Sequence, residues 1–131
     1  LQTQHPKNLD VMNQMGWAYI NSGQIEMGFS TWRRAMALDQ RNTTVKESMI
    51  RARMALGKKL KDAGQYTPAL VHLKELQKLF PNQWEVHFEI AETLLKKGDR
   101  RAALAEFTRV LELDPKNKLA KKAISDIRLR A

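Results

Sequence analysis

The 131-residue chain has no cysteine. A disulfide framework and a thiolate metal site are therefore excluded. The compartment stays open, because a helical domain of this size needs no covalent staple. Glycine and proline are scarce, at six and four residues. β-branched residues are also few, which argues against strands. No apolar run approaches the roughly 18 residues of a membrane span. Residues Leu1–Lys7 lack the apolar centre of a signal peptide, so a soluble domain is expected. The chain also lacks an initiator Met and reads as a piece of a longer protein.

What is present points to helices. Hydrophobic residues make up 43% and charged residues 28%, a globular balance rather than that of a disordered chain. Ala, Leu, Lys, Glu, Gln, Arg and Met dominate, and these are good helix formers. The expected class is all-α. The formal charge is +9, which raises an acidic protein, an anionic membrane surface or nucleic acid as partners. The charge is local. Residues 116–131 hold six basic residues and one acid, and residues 44–62 hold six basic and two acidic.

Three blocks line up along the chain. The first is Met15-Gly16-Trp17-Ala18-Tyr19 to Gly23, followed by Gly28, Trp32, Ala35 and Leu38. The second is Leu56-Gly57 and Leu60 to Gly64, followed by Ala69, Leu73, Leu76, Leu79 and Pro81. The third is Ile90-Ala91 and Leu94 to Gly98, followed by Ala103, Phe107, Val110, Leu113 and Pro115. Gly64 to Gly98 spans 34 residues, as does Pro81 to Pro115; Gly23 to Gly64 spans 41, seven more. A fixed period of this kind is the mark of a repeat architecture. Small residues recur at 16, 57 and 91 and again at 28, 69 and 103, a residue type that suits close helix approach. Bulky residues recur at Tyr19, Leu60 and Leu94 and at Trp32, Leu73 and Phe107. Gly23, Gly64 and Gly98 suit left-handed helix ends, and the prolines stop the second helix of a unit.

This pattern resembles the tetratricopeptide-repeat (TPR) family over nearly the whole chain. Met12, Arg53 and His87 stand where the family has an early Trp, and Gln40 replaces the first closing Pro. The resemblance implies a right-handed superhelix of three helix-turn-helix repeats and a capping helix. The expected organisation is the end of a preceding repeat at 1–8 and repeats at 9–42, 50–83 and 84–116. Residues 43–49 start the next helix two turns early, projecting beyond its neighbours with Thr43 or Thr44 as cap. The capping helix occupies 117–131, with Asn117 as its N-cap. Helices are expected at about 9–22, 25–39, 44–62, 66–80, 83–97 and 100–113.

Nothing in the sequence suggests catalysis, a cofactor or a metal. His5, His72 and His87 lack partners at triad or metal spacing. The resemblance implies a non-catalytic scaffold or adaptor for complex assembly, binding a peptide or helix of another protein in a concave groove. Mapped by repeat position, groove residues are Asn13, Trp17, Ile20, Asn21, Arg51, Met54, Lys58, Lys61, Phe88, Glu89 and Glu92. Trp17, Met54 and Phe88 would form an apolar strip with Trp17 as anchor. TPR domains that clamp chaperone C-terminal carboxylates carry Lys, Asn and Arg in this groove. Trp17, Asn13, Ala55, Glu85 and Glu89 depart from that set, so no chaperone-tail binding is expected. The alternatives are self-association, or anion-directed binding through the basic second-unit helix and Lys116, Lys118, Lys121, Lys122, Arg128 and Arg130. No aromatic residue interleaves with those six, which counts against nucleic acid.

Overall fold

Asn42, Asp99 and Asn117 each supply a side-chain oxygen to a helix N-terminus. Asn42 Oδ1 accepts from the Val45 amide at 2.9 Å, Asp99 Oδ1 from Ala102 at 3.1 Å, and Asn117 Oδ1 from Ala120 at 2.9 Å. Such caps satisfy amides that have no partner within the helix. They open three of the helices in the computed structural model, which describes the backbone of residues 4–130 and the side chains of 8–130. The helices are α1 (Gln4–Asn21), α2 (Ile25–Leu38), α3 (Thr43–Asp62), α4 (Tyr66–Leu79), α5 (Trp84–Lys97), α6 (Arg100–Leu113) and α7 (Lys118–Leu129). No strand occurs among the described residues, and the class is all-α as expected.

The 34-residue period is carried into the backbone. Shifted by 34, α4 coincides with α6 at both ends, and Trp84 at the start of α5 falls on Lys118 at the start of α7. Gly23, Gly64 and Gly98 have φ of +86°, +79° and +102°, each just past a helix. At Gly98 the amide reaches back to the carbonyls of Leu94 and Leu95, closing the last turn.

Three expectations differ from the structure. Helix α1 starts at Gln4, not near residue 9, so it includes Pro6. Proline is tolerated there because first-turn amides have no helical acceptor in any case. The rest of the expected remnant at 1–8, with the side chain of His5, lies outside the described residues. The cap of α3 is Asn42, not Thr43 or Thr44. Nor do the extra turns of α3 project freely: Val45, Ser48, Met49 and Ala52 are buried. Their spacing of three, four and seven residues is one face of a helix.

The chain forms two compact units, Leu1–Ala52 and Arg53–Ala131. In the first, Phe29, Trp32 and Ala35 of α2 are fully buried, with Val45 of α3. Gly16 of α1 lies so close to the Trp32 indole that a Cβ there would collide with it. In the second, Leu73 and Leu76 of α4, Val86, Ile90 and Ala91 of α5, and Ala103, Phe107 and Val110 of α6 form the core. Ala120, Ile124 and Ile127 of α7 close it.

Candidate protein-interaction site

In the first unit, Trp17 is half-buried and its ring meets Trp32 edge-on, with centroids 5.0 Å apart. Its indole N–H donates to Ser48 Oγ at 3.0 Å, and that hydroxyl donates to Asn13 Oδ1 at 2.7 Å. Trp32 Nε1 donates to the Asn13 carbonyl at 3.3 Å. Trp17 and Asn13 are thus tied into a polar chain from α1 to α3 as well as facing solvent. Ile20 packs over Gly28, where an added Cβ would lie 2.7 Å from its side chain. Asn21 and Arg51 are exposed.

In the second unit the charged residues chosen from repeat position meet one another. Lys61 Nζ lies 3.1 Å from Glu89 Oε1 and 3.2 Å from Glu92 Oε1, and Lys58 Nζ lies 3.8 Å from Glu89 Oε2. Lys61 and Glu89 are buried, whereas the Lys58 and Glu92 side chains are 53% and 39% exposed. Burial pulls the Lys61 pKa down. The hydrogen bonds and negative charges of Glu89 and Glu92 outweigh it and hold the ammonium above its ordinary 10.5. Phe88 is half-buried between Phe107, at a centroid distance of 5.5 Å, and Trp84, at 6.3 Å. Met54 is half-buried.

Beside these residues lies a cleft of about 200 Å³. Glu92, Leu95 and Lys96 of α5 line one side, Ala123, Asp126 and Arg130 the other, with Phe107 at its floor. Of the six basic residues of the C-terminal segment, all are exposed, and Lys122 pairs with Asp126 at 3.4 Å. The other basic stretch is less available than its composition implied. Arg53 and Lys61 are buried in it.

Two polar clusters escaped the sequence reading. Arg53 Nη1 donates to His72 Nδ1 at 3.0 Å. His87 Nδ1 lies 2.8 Å from Glu106 Oε1, His87 Nε2 donates to the Pro81 carbonyl at 2.7 Å, and Gln77 Nε2 donates to Glu106. The signal was present, since Arg53 and His87 replace a packing residue at the same repeat position. A polar group buried there requires a partner. Among the described residues no group of three or more His, Asp or Glu could hold a metal ion. Among the described residues no helix is long and apolar enough to cross a membrane.

Solved structures share this fold. The structure of MamA AMB-1 superposes with a TM-score of 0.56 at 23% identity, over 93% of this chain; the chain spans 63% of that protein's length. The first TPR of Spaghetti (RPAP3), bound to the HSP90 peptide SRMEEVD, gives 0.54 at 17% identity, over 95% of this chain and 93% of that one. The C-terminal TPR-containing domain of a Plasmodium falciparum FK506-binding protein gives 0.60 at 12%, over 99% and 92%. No curated protein is significantly similar in sequence. The tetratricopeptide-repeat family model matches residues 60–127. That is just over half of the chain, and the chain belongs to the tetratricopeptide-repeat family.

Proposed function

We propose that the chain is a non-catalytic protein-interaction scaffold that takes a peptide or helix of another protein on the faces of its first-of-pair helices. The observation that carries this reading is the cleft of about 200 Å³ between α5 and α7. Its walls alternate charge and apolar surface: Leu95 and Phe107 offer apolar contact, while Glu92, Lys96, Asp126 and Arg130 offer both signs of charge at the rim. Such a lining suits a peptide held by its main chain and one apolar side chain. Phe88, Met54 and Lys58 extend the contact surface of this unit. In the first unit the proposed contacts are the Trp17 ring, Asn13, Ile20, Asn21 and Arg51. Trp17 and Asn13 there are held by their own hydrogen bonds, so they are preorganised, and preorganised contacts bind at lower entropic cost.

The RPAP3 domain in the solved complex holds the HSP90 peptide SRMEEVD. This chain is proposed not to bind such a tail. Lys61 is neutralised by Glu89 and Glu92, and those carboxylates would repel an acidic terminus.

The test is selection of peptides from a random library on the whole chain, followed by anisotropy titration. Selected peptides should lose at least about tenfold in affinity on Leu95→Arg, a loss of about 1.4 kcal/mol. Peptides that bind that variant as well as the parent chain would remove the cleft as the site. Micromolar binding of SRMEEVD, abolished by a C-terminal amide, would overturn the exclusion of chaperone tails.

A further inference from the structure

The 34-residue register puts Arg53, His87 and Lys121 at one repeat position. The first two are buried. Each meets a residue nineteen positions later on the next helix: Arg53 meets His72, and His87 meets Glu106. The third, Lys121, is exposed.

The surroundings of Lys121 repeat as well. Helix α6 packs along α5 and reaches Gln77 of α4 and His87 of α5 through Glu106. Beside His87, the residues Ile90, Ala91 and Leu94 are buried. Moved by 34, Gln77, His87, Ile90, Ala91 and Leu94 become Leu111, Lys121, Ile124, Ser125 and Arg128. Those five, with Leu129, line an open groove of about 350 Å³ between α6 and α7. The groove is thus a second copy of the surface on which α6 lies, with its chemistry altered.

We propose that the α6–α7 groove docks an acidic amphipathic helix of a partner protein, seated on α6 and α7 as α6 is seated on α4 and α5, with a carboxylate on Lys121. The altered residues define the occupant. Lys121 in place of His87 needs an acceptor that carries full charge. Arg128 in place of Leu94 adds a second cation, and the groove lining holds no acid. Ser125 in place of Ala91 keeps the floor small enough for close helix approach. Leu111 and Leu129, the last 81% exposed, supply the apolar contact, over the buried Ile124. A helix as long as α6 would run about 21 Å at 1.5 Å per residue and could cover the whole groove.

Other occupants fit less well. A second copy would bring another +9 chain to a cationic surface. A membrane would need a continuous apolar stripe on α7. Its exposed leucines, Leu119 and Leu129, stand about 15 Å apart along the helix, and Ala120, Ile124 and Ile127 are buried. The groove offers no aromatic face for a nucleic-acid base.

The experiment uses a labelled peptide with the sequence of Asp99–Asp114, carrying Arg100→Glu, Arg101→Glu and Arg109→Glu. A lactam bridge on its outer face holds it helical, since so short a helix is marginal in water. Titrated against the whole chain, it should saturate at micromolar concentrations. Lys121→Glu with Arg128→Glu should weaken it by at least about tenfold, and Ser125→Trp should abolish binding by filling the groove. All three positions are exposed, and circular dichroism confirms that the variants fold. Absence of saturation at about 1 mM would overturn the proposal, as would unchanged binding to Ser125→Trp. It would also fall if the Lys121→Glu, Arg128→Glu variant lost affinity for phosphatidylserine vesicles or RNA while the peptide bound neither chain, or if sedimentation showed a dimer that Ser125→Trp dissolves. The cleft between α5 and α7 is left intact by these substitutions, so its failure and this one are distinguishable.

Discussion

Lys61 Nζ lies 3.1 Å from Glu89 Oε1, and both side chains are only 9% exposed. Removing one partner leaves the other charged and poorly solvated. Lys61→Met should therefore cost about 3 kcal/mol, with Glu92 and Glu89 left facing each other. Glu89→Leu should cost less, because Glu92 still pairs with Lys61. The double variant should recover much of the loss, and urea denaturation of all four chains gives the coupling.

The same pair sets an alkaline limit. The folded-state pKa of Lys61 is raised above 10.5, so its contribution is complete below that value. It is lost as pH rises through the raised pKa. Unfolding free energy should hold steady up to about pH 10 and fall above it. The fall should be smaller in the Lys61→Met, Glu89→Leu chain. An equal fall in both would assign the alkaline transition to other groups.

How much of this could be read from the sequence follows from which contacts are periodic. The 34-residue spacing of Gly64 with Gly98 and of Pro81 with Pro115 carried the helix boundaries of α4 to α6, because turn chemistry is local. Asn117 was legible as a cap for the same reason. The charge network was not. Lys61 reaches acids 28 and 31 residues away, so neither pair falls on the repeat period, and a residue's repeat position gives its face but not its neighbour's rotamer. Trp17 was legible as a helix-face residue, but its bond to Ser48 was not. Ser48 belongs to the seven-residue insertion and has no counterpart elsewhere in the period.

Gly16 and Gly64 are glycine for different reasons, and alanine separates them. At Gly16 a Cβ would collide with the Trp32 indole, which is fully buried and met edge-on by Trp17. Overpacking of this kind should cost about 3 kcal/mol. At Gly64 nothing lies within 4 Å of an added Cβ, but φ is +79°. Strain alone should cost about 1 kcal/mol there. Thermal melts of Gly16→Ala and Gly64→Ala should rank in that order.

The start of α3 gives a further check on local chemistry. Asn42 Oδ1 holds the Val45 amide, while Thr43 and Thr44 are exposed. Asn42→Ala should lose about 1 kcal/mol. Thr43→Ala and Thr44→Ala should change stability by no more than about 0.5 kcal/mol. A larger loss in either threonine variant would place the helix start inside the insertion rather than before it.

His87 tests whether the buried polar clusters hold the fold together or merely fill it. Its Nε2 satisfies the Pro81 carbonyl just before α5, and its Nδ1 faces Glu106 on α6. His87→Leu keeps the volume roughly but takes the ring donor from that carbonyl, while Glu106 keeps Gln77 as a donor. The carbonyl left without its donor costs about 1–3 kcal/mol. Glu106→Gln retains an acceptor oxygen for the ring and leaves the Pro81 bond untouched, so it should cost well under half as much. If the two variants lose the same stability, the His87–Glu106 contact accounts for the whole effect. If His87→Leu is neutral, an apolar residue serves at this position as well as the polar one, and the histidine adds no stability there.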